Sequence, residues 1–154
     1  MMLAGLLLSA SAAASERPGA ENFLHASLPG EHVGLTVSLM QPVIEAEGLS
    51  FIRVQNVDKG LSAKGFERPP YKLVFFGDRK VFQRARDLDP RITPYLPFKI
   101  TVYQGPNGNT HLSVMDPAVV GRMFNPRVQP LFREWSRIFQ RILERTVERV
   151  QARS

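Results

Sequence analysis

Two alternating runs, Phe98 to Gln104 and His111 to Met115, flank Gly105-Pro106-Asn107-Gly108-Asn109, a stretch made of turn formers. Period-two alternation on both sides of such a stretch predicts an antiparallel hairpin. Pairing Tyr103 with His111 sets Thr101 opposite Ser113 and gathers Ile100, Val102, Leu112 and Val114 on one face. Lys99, Thr101, Tyr103, His111 and Ser113 then share the other face, and a one-residue slip would exchange the two sets. A sheet grown from this hairpin has one face to bury and one that water can wet. The expectation is an α+β domain, mainly antiparallel sheet with helices packed on it.

The flanking segments supply both kinds of element. Asn22 to Leu28 reads as a first strand, closed by Pro29-Gly30. From Glu31, apolar residues at Val33, Val37, Met40, Val43 and Ile44 recur at helical spacing, with Pro42 predicting a bend and Gly48 a left-handed stop. Leu49 to Val57 alternates, with Ile52 and Val54 on one face and Phe51, Arg53 and Gln55 on the other. A polar loop from Asp58 to Pro70 follows, longer than most connections in a compact domain and so a candidate to close over something. Tyr71 to Phe76 is apolar on nearly both faces, as a central strand covered on both sides would be. Asp78 has the place of an N-cap for a short helix through Asp87, and Asp116-Pro117 opens another that runs to Phe124.

Pro126 opens a long C-terminal amphipathic helix, about 127–152. At 100° per residue Leu131, Trp135, Ile138, Phe139, Ile142, Leu143, Thr146 and Val150 fall in one arc. Arg133, Arg137, Arg141, Arg145, Arg149 and Arg153 recur at steps of four, which spiral slowly around the axis. Arg133, Arg137 and Arg141 lie opposite the apolar arc and form a candidate surface for an anionic partner; Arg149 drifts inside the arc, so fraying is expected in the last two turns.

The segment Met1 to Ala14 is apolar and small-residue-rich, with Ala12 and Ala14 in an A-x-A cleavage pattern. It is far shorter than the roughly 20 residues of a spanning helix, so a cleavable signal peptide and a periplasmic product are expected. Residues 15–21 then form a linker, 22–125 the α+β domain and 126–154 the amphipathic helix.

Three stretches carry a resemblance. The first runs from Gly48 through Phe51, Arg53, Gln55 and Gly60 to Gly65-Phe66. The second is Asp89-Pro90 followed by Leu96-Pro97-Phe98-Lys99-Ile100 and Tyr103, and the third is Ser113-Val114-Met115-Asp116-Pro117 followed by Gly121 to Phe124. In order and spacing, over about 22–124, the chain resembles the domain of unknown function 302 family. The resemblance implies a small α+β domain, often dimeric, and no agreed reaction. Gly77 and Phe98 stand where many relatives carry cysteine, and Arg53 and Gln55 where relatives often carry histidine. The resemblance therefore brings no redox, metal or haem role to this chain.

The residues themselves lean toward binding, with an enzyme such as a hydrolase as the third reading after the two below. With no cysteine among 154 residues, disulfides, thiol catalysis and Cys-ligated metals are excluded. His25, His32 and His111 lie on different elements without metal spacing, and no nucleophile elbow, phosphate loop or zinc-protease motif occurs. No cofactor and no metal are expected. The net charge of +6 suits an anionic partner, a membrane surface or an acidic protein, although no nucleic acid is expected. The candidate binding face is the polar side of the sheet, Arg53, Gln55, Tyr103 and His111, serving a small ligand in a protein expected to form a homodimer. The alternative function is a peripheral interaction through the basic C-terminal helix.

Overall fold

The computed structural model describes residues 20–154; the expected leader, and the linker as far as residue 19, lie outside them. Five strands form one antiparallel sheet: β1 (Phe23–Leu28), β2 (Ser50–Asn56), β3 (Tyr71–Gly77), β4 (Phe98–Gln104) and β5 (Thr110–Met115), in the order β1-β5-β4-β3-β2. The hairpin register is the expected one, Thr101 opposite Ser113 and Tyr103 opposite His111. Ile100, Val102 and Leu112 are fully buried. The N-terminal β1 pairs with β5, so strands from the two outer thirds of the chain lie side by side at one edge of the sheet.

The helices are α1 (Val33–Ala46), α2 (Val57–Ser62), α3 (Arg79–Leu88), α4 (Pro117–Val120) and α5 (Gln129–Gln151). α1 and α5 pack on one face of the sheet and on each other, where Met40, Val43 and Ile44 meet Trp135, Phe139 and Ile142 in one core. α1 contains Pro42 and stops at Gly48, whose φ of +78° is the left-handed conformation expected there. Asp78 and Asp116 cap α3 and α4 by accepting from the N–H groups of Lys80 and Ala118 at 2.8 and 2.9 Å. The C-terminal cap of α1, Glu47, binds across the layer to α5: Arg141 grips both its carboxylate oxygens at 2.8–3.2 Å and Arg145 adds a contact at 3.1 Å.

Four expectations are corrected. In β2 a bulge between Phe51 and Arg53 shifts the register. Phe51 therefore turns toward the core with Val54, while Ile52 is left 47% exposed. β3 is fully covered on one face only among the described residues: Val74 and Phe76 are buried, but Leu73 and Phe75 line the other face only partly buried. Part of the loop from Asp58 to Pro70 is helical, as α2. Finally, α5 does not fray in its last two turns: Thr146 and Val150 are fully buried there, and Arg149 is exposed.

Candidate functional site

Because side chains alternate along each strand, the pairing fixes what the uncovered face displays. One row runs Gln55, Leu73, Thr101, Ser113 and His25; the next runs Arg53, Phe75 and Lys99, with Met115 and Phe23 at its far end. Tyr71, Tyr103, His111 and Ser27 form a third. The face is thus a mixture of rings, hydroxyls and cations, and not the purely polar surface that the hairpin alone implied.

The four predicted residues divide into two pairs. Tyr103 and His111 stack with ring centroids 5.2 Å apart. Arg53 and Gln55 lie on the edge strand β2, where the Arg53 guanidinium sits 4.1 Å above the centre of the Phe75 ring and reaches Gln55 Oε1 at 3.5 Å. Leu73 and Thr101 separate Gln55 from the β5 side of the face.

Around Tyr103 and His111 the structure adds two rings that the sequence did not assign to the site. Tyr71 on β3 lies 5.8 Å from Tyr103, and His25 on β1 stacks on His111 at 5.3 Å. Tyr71, Tyr103, His111 and His25 therefore make a continuous line of rings across four strands. His25 was visible as a histidine, but its place depends on β1 joining β5, a long-range pairing with no local signal. Tyr71 was hidden by its membership of an apolar run.

The two imidazoles contact each other, His111 Nδ1 to His25 Nε2 at 3.3 Å, and His111 Nε2 lies 3.5 Å from Asn107 Oδ1. With the His111 proton on Nε2, facing the Asn107 oxygen, Nδ1 is free to accept from His25. Burial, reinforced by the neighbouring His111 charge, pulls the His25 pKa below its ordinary 6.5. The ring of His111 is also held from behind by Gly105, where an added Cβ would come within 2.6 Å of Nε2. Among the described residues no group of three or more His, Asp or Glu is placed to hold a metal ion.

At the other end of the face Phe23, Lys99, Thr101, Ser113 and Met115, with Tyr95 from the turn before β4, enclose a cavity of about 290 Å³. Burial, with Asp116 adding to it, pushes the Tyr95 phenol far above its ordinary pKa, so it stays a neutral hydrogen-bonding group. Aromatic and apolar surface dominates here, with hydroxyls and one ammonium at the rim. Such a site can stack and hydrogen-bond a small molecule.

On α5, Arg133 and Arg137 are exposed, whereas Arg141 is engaged with Glu47. That partnership between residues 94 apart in sequence was invisible to helical spacing.

A five-stranded antiparallel sheet with helices on one face and a ring-lined open face on the other defines a two-layer α+β protein. The sequence model of the family described as "Domain of unknown function DUF302" matches residues 28–146, and the chain belongs to that family. The match extends through most of α5, beyond the 22–124 of the resemblance. Among solved structures, the chain is similar to the crystal structure of an uncharacterized conserved DUF302 protein from Bacillus stearothermophilus. The TM-score is 0.75 at 20% identity, covering 82% of this chain and 99% of that one, and it establishes the shared fold. No curated protein matches this chain.

Proposed function

We propose that this chain is an exported, non-catalytic protein that binds a small, flat and largely apolar molecule on the open sheet face. The observation that supports this reading is the line of Tyr71, Tyr103, His111 and His25 on the same uncovered face as the 290 Å³ cavity. Aromatic rings already aligned by their strands offer stacking surface without further ordering cost. Homodimer formation is part of the proposal, since Phe23 and Met115 at that face are 47% and 45% exposed. Indole serves as the probe: titrated into isotope-labelled protein, it should shift the resonances of Tyr103, His111 and Thr101 and raise the melting temperature by mass action. Tyr103→Ala should abolish both effects. Shifts confined to other surfaces would refute the site. Export is tested separately by amino-terminal sequencing of fractionated protein, with cleavage after Ala14 expected.

The alternative, a peripheral interaction with an anionic surface through α5, rests on the exposure of Arg133 and Arg137. Salt-sensitive vesicle binding lost in an Arg133→Gln, Arg137→Gln variant would favour it.

A further inference from the structure

α3 packs beyond the end of β3 and carries Arg79, Lys80, Arg84 and Arg86 within ten residues. Arg84 is paired with Glu134 at 3.1 Å, whereas Arg79, Lys80 and Arg86 make no ion pair among the described residues. Arg79 and Arg86 are seven residues apart, two turns of helix and about 10 Å along the axis, and so fall on one face. Phe82 and Gln83 lie between them. Thr93, Leu96 and Pro97 form the opposite wall of a cavity of about 370 Å³.

No carboxylate lines this cavity. The nearby acids are occupied or turned away: Asp78 caps α3, Asp89 is chelated by Arg91, and Asp87 lines the groove on the other side of Gln83 with Lys80 and Arg84. Two guanidiniums thus border a half-open cleft with no carboxylate in its lining, and guanidinium forks suit phosphate and carboxylate oxygens. The floor is apolar and fixed. Phe82 lies so close to Gly77 that a Cβ there would sit 2.7 Å from its ring. A solvated basic helix face would need neither the opposing wall nor a pinned aromatic floor.

We propose that this pocket binds a small organic anion with an apolar body, of the aryl phosphate class. The acid group lies between Arg79 and Arg86, and the body rests on Phe82, Leu96 and Pro97. The site is separate from the ring line of the open sheet face and stands or falls independently of it.

The test is a titration of the full chain with phenyl phosphate, with inorganic phosphate alongside. Phenyl phosphate should bind saturably, shift Phe82, Gln83 and Leu96, and weaken with added salt. Inorganic phosphate, lacking the ring, should bind at least about tenfold more weakly. Arg79→Gln and Arg86→Gln should each weaken phenyl phosphate binding by about tenfold or more. Both residues are exposed, so the variants should melt like the parent. Lys80→Gln, on the neighbouring groove, should leave the affinity unchanged. Failure of phenyl phosphate to bind, or equal affinity for the two anions, overturns the proposal. Equal loss in the Lys80→Gln variant, or binding to anionic vesicles without binding of phenyl phosphate, would show general surface electrostatics in its place.

Discussion

At the scale of single residues, the contact between His25 and His111 makes the open face sensitive to pH. His25 has a folded-state pKa below its ordinary 6.5, because burial first, and then the proximity of His111, disfavours its cation. Below 6.5 the unfolded chain therefore binds more protons at this position than the folded one, and the linkage slope makes stability rise with pH. The contribution is complete above about 6.5 and declines as pH falls toward the folded-state pKa, where the decline ends. Urea midpoints at pH 7.5, 6.5 and 5.5 should fall more steeply for the parent chain than for His25→Gln. Parallel curves for the two proteins would dissociate the pair from stability. The same contact shows what one-dimensional pattern lacks. The placement of Tyr103 beside His111 follows from the hairpin, because a turn fixes register over a few residues. The second imidazole comes from 86 residues away, and only tertiary pairing brings it there.

Elements show a similar division between local and distant causes. Caps at Asp78 and Asp116, the stop at Gly48 and the strands beside a tight turn all follow from short-range chemistry, and each was legible in the sequence. The bulge at Ile52 was not, because strict alternation of β2 is broken by its fit to β3, and that fit exchanges Phe51 for Ile52 on the core side. Close packing imposes a further requirement where the turn after α4 meets α5. Gly121 is buried, and a Cβ there would come within 2.7 Å of Phe132 Cβ and 2.8 Å of Cγ. Phe132 has no room to yield, being fully buried between Phe124 at 5.5 Å and Trp135 at 4.7 Å, centroid to centroid. Overpacking of this kind costs about 1–3 kcal/mol. Gly121→Ala should lose that much in a urea titration with an unchanged slope; a loss below about 0.5 kcal/mol, the size of an ordinary surface substitution, would show that α5 shifts to admit the methyl group.

For the molecule as a whole, the question is whether α5 is an appendage available to a partner or half of the core. Its sequence predicted an apolar arc that had to be covered by its own domain, a second subunit or a bilayer. The fold covers it internally: Leu131, Phe132, Trp135, Phe139, Ile142, Leu143 and Val150 are each no more than 3% exposed. Phe139 meets Phe76 and Phe98 edge-on at 5.3 and 4.9 Å, so the helix packs directly on β3 and β4. The grip of Arg141 and Arg145 on Glu47 adds a second attachment at the far end of α1. Truncating a buried phenylalanine to alanine costs about 3–5 kcal/mol, against a total stability of about 5–15 kcal/mol for a domain. Phe139→Ala should therefore bring the chain close to its unfolding threshold. A chain ending at Asn125 loses all seven of those side chains and uncovers Phe76 and Phe98 as well. It should show no cooperative melt and should bind a hydrophobic dye already at room temperature. A truncated chain that melted sharply would mean that β1 to β5 with α1 suffice as a core, and α5 would then be free to serve a partner.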